Sequence, residues 1–512
     1  MLSRRGTLGD VDDSGEQHEQ RYQAVLSRDV RFDGWFVTAV RATGIYCRPA
    51  CPAITPKRRN VSFFPTAAAA QQQGFRACKR CRPDASPGSP EWNVRTDVVA
   101  RSMRLIADGV IDRDGVAGLA QRLGYSERHL NRLVSAELGA GPLAIARARR
   151  AQTARLLIET TTLSMTEIAF AAGFTSVRQF NDTVREVFAL SPSDLRAGKR
   201  TRAATGTVPT GGAISLRLAV RQPFHAPSLF GFLATRSVPG VEHGDIDTYT
   251  RAMRLPHGAG VVTLTAPTAA EPTTVGCTLW LEAVADLQAA VQRCRRLLDL
   301  DADPVAVDAH LAADPLLAPL VAQRAGLRSP GAVDGGELLV RAIIGQQVSV
   351  AGARTVTARL VERWGEPLVV PTSGVAGLHR LFPSAHTLAT IDPSELPMPA
   401  ARARSLIHAC AAVADGSLTI DAGVDRAELA EQLVAIPGIG PWTAQYVAMR
   451  ALGDPDVFMP TDVGVRNALR ALGTATTRPN ELVERSRTWS PWRSYAQHHL
   501  WCSLTPPRRN PT

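Results

Sequence analysis

The sequence predicts a multidomain α+β protein with four folded parts. These are a small zinc-bound α/β module, an all-α domain with tandem helix-turn-helix motifs, a β-rich α+β domain and a helical domain built on a helix-hairpin-helix. Three observations predict this order: four of the eight cysteines fall within 35 residues, two helix–glycine–helix stretches follow them, and the hairpin sequence PGIG occurs further on. A chain of 512 residues also exceeds what one hydrophobic core can hold.

Charge and hydropathy indicate which classes of protein the chain can belong to. The net charge of +11 and the isoelectric point near 9.7 favour an anionic partner. The first 20 residues lack the apolar run of a signal peptide, and no stretch of 18 apolar residues occurs. We therefore expect a cytoplasmic protein without a membrane span. Thiols stay reduced there, so clustered cysteines indicate metal binding or catalysis before disulfides.

Shifts in composition divide the chain into segments. Pro, Gly and Ser are concentrated in RPDASPGSPEW, and the basic stretch GKRTRAATGTVPTGG interrupts all periodicity. The apolar spacing between them is helical, whereas SLRLAV and GVVTLTAP further on predict strands. The predicted segments are a loose tail at 1–20, the cysteine module at 21–88, a helical domain at 93–197, a linker at 198–212, a β-rich domain at 213–300 and a helical domain at 301–512.

The clustered cysteines have the spacing C-x3-C-x26-C-x2-C and are Cys47, Cys51, Cys78 and Cys81. Two close pairs of soft thiolates suit one tetrahedral Zn²⁺ per chain. Four thiolates leave the site at −2, so an exposed one can act as a nucleophile without a base. Basic residues that suit DNA phosphates flank the ligands: Arg48, Lys57, Arg58, Arg59, Arg76, Lys79, Arg80 and Arg82. A zinc site that only stabilises a small module is the alternative.

The stretch from DGWFVTAVRATGIYCRPACPA to GFRACKRCRPD resembles the N-terminal domain of the Ada proteins of the adaptive response to DNA alkylation. In that family the first cysteine of the set takes a methyl group from a methylphosphotriester in DNA. The resemblance implies that Cys47 is the methyl acceptor and that the other three cysteines complete the metal site. Methylation would turn a thiolate into a neutral thioether, and the smaller negative charge would lower repulsion from the DNA backbone.

Two stretches predict helix-turn-helix motifs. VAGLAQRLGYSERHLNRLV has Gly124 at the turn and Ser126 as an N-cap. MTEIAFAAGFTSVRQFNDTVREV has Gly173 and Ser176 in corresponding places. The tandem pair and the ending LSPSDLRAG resemble the AraC-type DNA-binding domain. The second helix of each motif would enter the major groove, and its candidates for DNA contact are Arg128, His129, Arg132, Val177, Arg178 and Gln179.

PGIG, within LVAIPGIGPWTAQYVAMRAL, predicts a hairpin between two helices. Gly438 and Gly440 permit close approach of the backbone to a phosphate, and the following helix offers its N-terminal N–H groups to the same anion. Asp462 lies 22 residues beyond Gly440, in MPTDVGV. By residue type alone, the expected role of this aspartate is that of a helix N-cap.

A hairpin followed by such an aspartate resembles the base-excision DNA glycosylase superfamily, in which that aspartate is catalytic. Bifunctional relatives carry a lysine in the hairpin motif, and Trp442 at that position implies a monofunctional glycosylase. RAIIGQQVSVAGARTVTARL, WSPWRSYAQHHLW and the β-rich segment resemble AlkA, the bacterial 3-methyladenine DNA glycosylase II. That resemblance implies a base pocket formed by Trp442, Tyr446, Trp501 and Gln347, the last at the position where a relative has a leucine wedge.

The aromatic residues suit such a substrate, because N3- and N7-alkylated purines are cations and cation–π attraction is worth roughly 0.5–2 kcal/mol for each ring. A cationic base leaves readily, so a carboxylate that stabilises the oxocarbenium-like sugar and guides water suffices. Gln347 can fill the vacated base position and hydrogen-bond the orphan base, but it wedges less firmly than leucine. Core packing is the alternative role for the aromatic residues.

The remaining cysteines are scattered, so we expect buried thiols and no iron–sulfur cluster; they are Cys277, Cys294, Cys410 and Cys502. No PCHRV-type sequence occurs, so no second methyltransferase domain of the longer Ada proteins is expected.

The sequence thus predicts a monomeric, nucleoid-associated bacterial protein whose partners are double-stranded DNA and RNA polymerase. It would combine an alkylation sensor, a transcription activator and a DNA glycosylase. Two alternatives stay open: a regulator whose glycosylase half only holds DNA, and a zinc-responsive repressor.

Overall fold

The structure is a computed structural model that describes residues 15–83, 97–200, 212–370, 375, 377–474 and 478–504. The chain folds into two compact units, which comprise Met1–Trp92 with Asp97–Thr207 and Asn93–Thr96 with Val208–Thr512. Most of the Pro/Gly/Ser-rich stretch and of the linker predicted at 198–212 lies outside the described residues. No helix in the described ranges is long and apolar enough to cross a membrane.

The first unit begins with a small sheet and two helices. Its elements are α1 (Gly15–Leu26), β1 (Val37–Val40), β2 (Ile45–Cys47), β3 (Val61–Phe64), α2 (Ala67–Gln72) and β4 (Arg76–Ala77). The strand order is β3-β1-β2-β4. Neighbouring strands are antiparallel except β2 and β4, which are parallel. The parallel pair matters because β2 and β4 run in the same direction, so the cysteines at or directly after their ends lie at the same end of the sheet.

Helix α1 corrects part of the loose tail predicted at 1–20. The helix begins at Gly15, whereas residues 1–14 lie outside the described part of the chain. Ala24 and Val25 in its last turn are buried among aromatic side chains of the module. The polar composition of this segment did not predict a helix, because α1 is stabilised by burial of one short apolar face.

The rest of the first unit is helical. Its helices are α3 (Val98–Ala107), α4 (Val110–Leu123), α5 (Glu127–Leu138), α6 (Pro142–Thr160), α7 (Met165–Ala171), α8 (Val177–Phe188) and α9 (Pro192–Arg200). The left-handed backbone of Gly115 (φ 69°) kinks α4, so its second half and α5 form the first helix-turn-helix motif. Helices α7 and α8 form the second motif. Helix α9 ends at Arg200, inside the segment predicted as linker from 198.

One core joins the cysteine module to the first helix-turn-helix motif. Leu130, Val134 and Leu138 lie on one face of α5 and are buried. Ala68 and Ala69 of α2 belong to the same buried cluster. The cysteine module and the helix-turn-helix motif are therefore packed against each other, and they are not separate domains joined by a flexible linker.

The second unit begins with the predicted β-rich part. Its elements are β5 (Ile214–Ala219), α10 (Ala226–Arg236), β6 (Glu242–Gly244), β7 (Thr248–Leu255), β8 (Gly258–Thr265), β9 (Thr274–Leu281) and α11 (Leu287–Leu297). The five strands form one antiparallel sheet in the order β5-β9-β8-β7-β6. Alternate residues of β5 and β9 are buried, as expected for strands with one face on the core.

The remainder of the second unit is helical, as predicted. Its elements are α12 (Pro304–Leu311), α13 (Ala318–Gln323), α14 (Gly335–Ile344), α15 (Val350–Trp364), β10 (Glu366–Pro367), β11 (Arg380–Leu381), α16 (Ala385–Ala389), α17 (Ala400–Ala414), α18 (Arg426–Ala435), α19 (Pro441–Ala451), α20 (Val463–Ala471), α21 (Pro479–Ser486) and α22 (Arg493–Ser503). Helices α18 and α19 pack against each other across the PGIG turn, and α19 also packs on α14. The predicted helix-hairpin-helix is therefore present.

Candidate functional site

Two parallel strands bring the clustered cysteines together. Strand β2 ends at Cys47, β4 ends one residue before Cys78, and the register places these two cysteines level with each other. Cys51 and Cys81 return to the same point through short turns. All four Sγ atoms lie within 4.8 Å of one another.

Four sulfurs at this spacing fit a tetrahedral Zn²⁺, because Zn–S bonds of about 2.3 Å place the sulfurs about 3.8 Å apart. Hydrogen bonding to Cys51 and Cys81, together with burial, raises the pKa of Cys47, whereas hydrogen bonding to Cys47 lowers the pKa of Cys51 to about 2. Four thiolates this close together repel one another and need a cation between them. Within the described ranges this is the one group of three or more Cys, His, Asp or Glu side chains with such geometry.

The four cysteines of the cluster differ in their exposure to solvent. Cys78 and Cys81 are buried, whereas Cys47 and Cys51 are half-buried. A substrate as large as DNA can therefore approach only the first pair.

Some basic residues of the module form ion pairs within the protein, whereas others are exposed to solvent. Arg48 donates to the buried carboxylate of Asp33 at 2.9 Å, and Asp33 also accepts from the N–H of Ala50 at 3.0 Å. Arg48 thus holds the loop between the first two ligands. Arg82, next to the last ligand, pairs with Glu159 of α6. Six of the basic residues predicted to flank the ligands are exposed: Lys57, Arg58, Arg59, Arg76, Lys79 and Arg80.

Both helix-turn-helix motifs have the predicted turn chemistry. Gly124 and Gly173 have φ values of 75° and 83°, which a side chain would strain. Ser126 accepts from the N–H of His129, and Ser176 accepts from the N–H of Gln179, so each second helix begins at its predicted cap. The exposed candidates are Arg128, Arg132, Arg178 and Gln179, and His129 is half-buried.

The helix-hairpin-helix depends on one glycine for its shape. Gly438 has φ 87°, and a Cβ there would lie 2.1 Å from Oγ of Ser405. Gly440 is the N-cap of α19 and has open space around it, which leaves its side of the hairpin accessible. Sequence reasoning missed Gln346, whose Nε2 donates to the Gly438 carbonyl at 3.1 Å and to Thr443 Oγ1 at 3.0 Å. Only its position beside Gln347 could have drawn attention to it.

The predicted base-pocket aromatics line one cavity of about 510 Å³ together with Asp462. Trp442 and Tyr446 are one turn apart on α19, and their rings stack with centres 5.3 Å apart and planes 9° apart. Trp501 reaches the same cavity from α22. The cavity thus has an aromatic wall and a carboxylate beside it.

Asp462 is both a helix N-cap and a part of the cavity. One of its oxygens, Oδ1, accepts from the N–H of Val465 at 2.9 Å, as a cap does. The same oxygen accepts from the indole N–H of Trp501 at 2.9 Å, and Oδ2 accepts from the indole N–H of Trp442 at 2.9 Å. Three N–H donors therefore fix the direction of the carboxylate. The sequence predicted the two tryptophans as ring surfaces and missed this second role.

Gln347 does not line the cavity, which corrects its grouping with the base pocket. It lies exposed in the turn between α14 and α15 with φ 57°, while Gly345 and Val348 on either side of it line the cavity. A left-handed residue at the tip of a tight turn points away from the wall that its neighbours form. This exposed position is the one that the predicted wedge would need.

Arginines also line the cavity, which sequence reasoning missed. Arg236 and Arg450 lie over the ring of Phe232, with guanidinium-to-ring distances of 3.7 Å and 4.7 Å. Burial and nearby positive charge lower the pKa of Arg236 to about 10. These residues come from distant segments, so no local sequence signal could have grouped them.

The other cysteines are not all scattered. Cys277, Cys294 and Cys410 are buried as predicted, whereas Cys502 is half-buried. The thiol of Cys277 hydrogen-bonds with that of Cys294, and this contact and burial raise the pKa of Cys277. Strand β9 and helix α11 pack together and bring these two residues into contact.

Four family models match the chain in succession. They are the metal binding domain of Ada at 20–84, a helix-turn-helix domain at 119–198, the AlkA N-terminal domain at 215–334 and the HhH-GPD superfamily of base excision DNA repair proteins at 340–494.

Three relatives cover different shares of the chain. The probable bifunctional transcriptional activator/DNA repair enzyme AlkA of Mycobacterium tuberculosis is 53% identical over 96% of this chain and 97% of that protein. DNA-3-methyladenine glycosylase 2 of Escherichia coli is 35% identical over 54% of this chain and 94% of that protein. The bifunctional transcriptional activator/DNA repair enzyme Ada of E. coli is 37% identical over 32% of this chain and 46% of that protein.

A four-cysteine metal module, two helix-turn-helix motifs and a helix-hairpin-helix domain define a protein that joins DNA-binding regulation to DNA repair. The chain belongs to the family of bifunctional transcriptional activators and DNA repair enzymes of the AlkA type. Zinc is the metal that the Ada domain and the four sulfurs support, and DNA is the partner. This membership supports the combined regulator and enzyme, and it does not support a glycosylase half that only holds DNA.

Proposed function

We propose that the protein senses and repairs DNA alkylation with two separate chemistries. Cys47 accepts one methyl group irreversibly from a methylphosphotriester and thereby switches on sequence-specific DNA binding. The second unit excises alkylated purines of the 3-methyladenine class by hydrolysis, without a lyase step. The observation that carries the second activity is the Asp462 carboxylate, which two indole N–H groups and a backbone N–H hold beside an aromatic cavity.

The sensor step needs a half-exposed thiolate, and Cys47 provides one. Zinc, when bound, keeps the thiol deprotonated and still nucleophilic. Sγ of Cys47 forms a bond to the methyl carbon while the bond from that carbon to the phosphate oxygen breaks. The electron pair stays on the oxygen and leaves an ordinary phosphodiester. Arg48 holds the ligand loop through Asp33, and exposed residues such as Arg59, Lys79 and Arg80 contact flanking phosphates.

The glycosylase step requires a flipped base and a carboxylate at the sugar. The alkylated base enters the cavity against the stacked rings of Trp442 and Tyr446, and Trp501 lies on the other side of Asp462. The glycosidic bond breaks and its electron pair neutralises the cationic base. Asp462 stabilises the positive sugar and orients the water that adds to it. Gln347 fills the vacated position in the duplex, while Gly438 and Gly440 grip the backbone.

Further partners follow from these roles. We propose one zinc ion per chain and no iron–sulfur cluster. As an activator the protein contacts RNA polymerase, and it works as a monomer on the nucleoid in the bacterial cytoplasm. Arg128, His129, Arg132, Arg178 and Gln179 contact the target promoter.

The glycosylase is tested by Asp462→Asn, measured as release of methylated base from duplex DNA in a single turnover. Asparagine still caps a helix, so the fold should persist while release slows by orders of magnitude. Asp425→Asn is the matched control, because Asp425 caps α18 through two N–H bonds but does not line the cavity. Equal rates for wild type and Asp462→Asn would refute the enzyme.

The sensor is tested by the intact mass of the protein after exposure to duplex DNA that bears methylphosphotriesters, followed by peptide mapping. Wild type should gain one methyl group on Cys47, and Cys47→Ser should gain none. Cys502→Ser removes a half-buried thiol outside the cluster and should behave as wild type. A methyl group on another cysteine, or none with zinc bound, would refute the assignment.

A further inference from the structure

The two recognition helices can be compared position by position, because both begin directly after a serine cap. Helix α5 follows Ser126 and α8 follows Ser176, so each residue of α5 corresponds to the one fifty positions later in α8. Three pairs near the helix starts are Arg128 with Arg178, His129 with Gln179, and Arg132 with Asp182, and all of these residues are exposed except the half-buried His129. The third pair reverses the charge. The two helices therefore present different chemistry to a groove.

The first recognition helix presents hydrogen-bond donors. Nη2 of Arg132 donates to Nδ1 of His129 at 3.1 Å, and an arginine has no acceptor, so Nδ1 must be the accepting nitrogen. The neutral His129 ring then carries its proton on Nε2. This ring stacks on Tyr125 with centres 5.4 Å apart and planes 6° apart, which holds the pair in place. The nearby acid Glu127 does not share this face, because it precedes the buried Leu130 by three residues.

In the second recognition helix, Gln179 is hydrogen-bonded within its own motif, and the exposed Arg178 lies near an acidic side chain. Arg178 lies 3.9 Å from the carboxylate of Asp182, one turn further along the helix. Oε1 of Gln179 accepts from the backbone N–H of Thr175 at 3.2 Å and from its hydroxyl at 3.0 Å. A glutamine selects adenine by accepting from N6 while donating to N7, and this needs a free Oε1. Gln179 has only its amide N–H groups left to offer.

We propose that α5 carries the base-specific recognition of this protein and selects guanine through Arg132, whereas α8 contacts the DNA backbone without selecting a base. Guanine presents two acceptors in the major groove, O6 and N7, which the guanidinium fork matches. Adenine has a donor where guanine has O6, so donors alone on the protein disfavour it. His129 is a positioning residue, since it fixes the fork of Arg132. This inference rests on the proposed function as a sequence-specific DNA-binding regulator.

The experiment is selection of bound duplexes from a random-sequence pool by the full chain with zinc, after Cys47 has been methylated by duplex DNA that bears methylphosphotriesters. Wild type should enrich duplexes with an invariant guanine. Arg132→Lys keeps the charge but loses the paired donors of the guanidinium, so preference for that guanine should fall roughly 5- to 150-fold, and affinity for the unselected pool should fall much less than that preference. His129→Phe keeps the stacking on Tyr125 but removes the acceptor, and should lower the same preference in part. His129→Gln restores an acceptor and should recover it.

The second motif provides the matched controls. Arg178→Lys and Gln179→Ala should leave the enriched sequence unchanged, and Gln179→Ala should weaken binding to all duplexes alike. Enrichment of the same guanine by Arg132→Lys, or loss of a base preference in either control, would overturn the inference and leave the regulator intact. Failure of wild type to enrich any sequence would overturn both.

Discussion

Replacing Trp501 by phenylalanine should slow base excision far more than it weakens base binding. The change deletes the indole N–H that donates to Oδ1 of Asp462 at 2.9 Å and leaves an aromatic ring in the cavity. Asp462 keeps its bonds from Trp442 and Val465, so the carboxylate stays in place but loses one of the donors that fix its direction. The effect should therefore appear in the chemical step.

The size of the effect follows from the bond that is lost. A hydrogen bond to a charged group contributes about 1.5–3 kcal/mol. If all of this acts in orienting Asp462 toward the developing positive sugar, the rate falls roughly 10- to 150-fold. The affinity for duplexes that contain the alkylated base should change little, because the ring that contacts the base remains.

Single-turnover release of methylated base, measured at several enzyme concentrations, separates the rate of chemistry from binding. Trp489→Phe is the matched control, because the indole of Trp489 donates to Oδ2 of Asp314 at 2.6 Å and this residue does not line the cavity. Both variants lose one indole-to-carboxylate bond, and both should be somewhat less stable. A Trp501→Phe rate as close to wild type as that of Trp489→Phe would show that the bonds from Trp442 and Val465 suffice to orient Asp462.

Three further perturbations test other parts of the molecule. Gly438→Ala should reduce DNA affinity in a filter-binding titration. The left-handed backbone at this position costs alanine roughly 1–2 kcal/mol, and the new Cβ would lie 2.1 Å from Ser405 Oγ. Adding Ser405→Ala should restore only part of the affinity. Burial raises the pKa of Asp299 to about 6, so its charged form opposes folding above pH 6 and this opposition fades toward pH 4. Asp299→Asn should therefore flatten the pH dependence of the free energy of unfolding between pH 4 and pH 7 in urea titrations, and a variant with the same slope as wild type would contradict this reasoning. Zinc chelation should abolish methyl acceptance and increase proteolysis of the cysteine module while base excision persists, and loss of excision would contradict the separation of the two chemistries.

Local patterns account for the parts of the site that were predicted correctly. The cysteine spacing predicted a four-sulfur cluster because two close pairs of thiols are typical of one zinc site, although the pairing of β2 with β4 is what brings the two pairs together. Glycine at a left-handed turn and serine at a cap act through their own backbone neighbours, so Gly124 and Ser126 marked the first helix-turn-helix motif without reference to tertiary structure.

The errors and omissions arose where distant segments meet. The loose tail at 1–20 was wrong for the residues from Gly15 onward, because that helix is ordered by burial against the module and its own composition is polar. Gln347 was grouped with the pocket through the resemblance of its segment to AlkA, and only the structure shows it exposed in a left-handed turn and absent from the cavity lining.

The sequence by itself determined the order of the four parts, the four clustered cysteines and the carboxylate with its aromatic neighbours, since each is indicated by residue type and spacing. Tertiary structure alone decided how those residues act on one another. Asp462 and Trp501 are 39 residues apart, yet the packing of α22 against α20 joins them through a 2.9 Å hydrogen bond. Hydrogen bonds of this kind depend on distances of a few tenths of an ångström between segments, which residue spacing does not fix and core packing does.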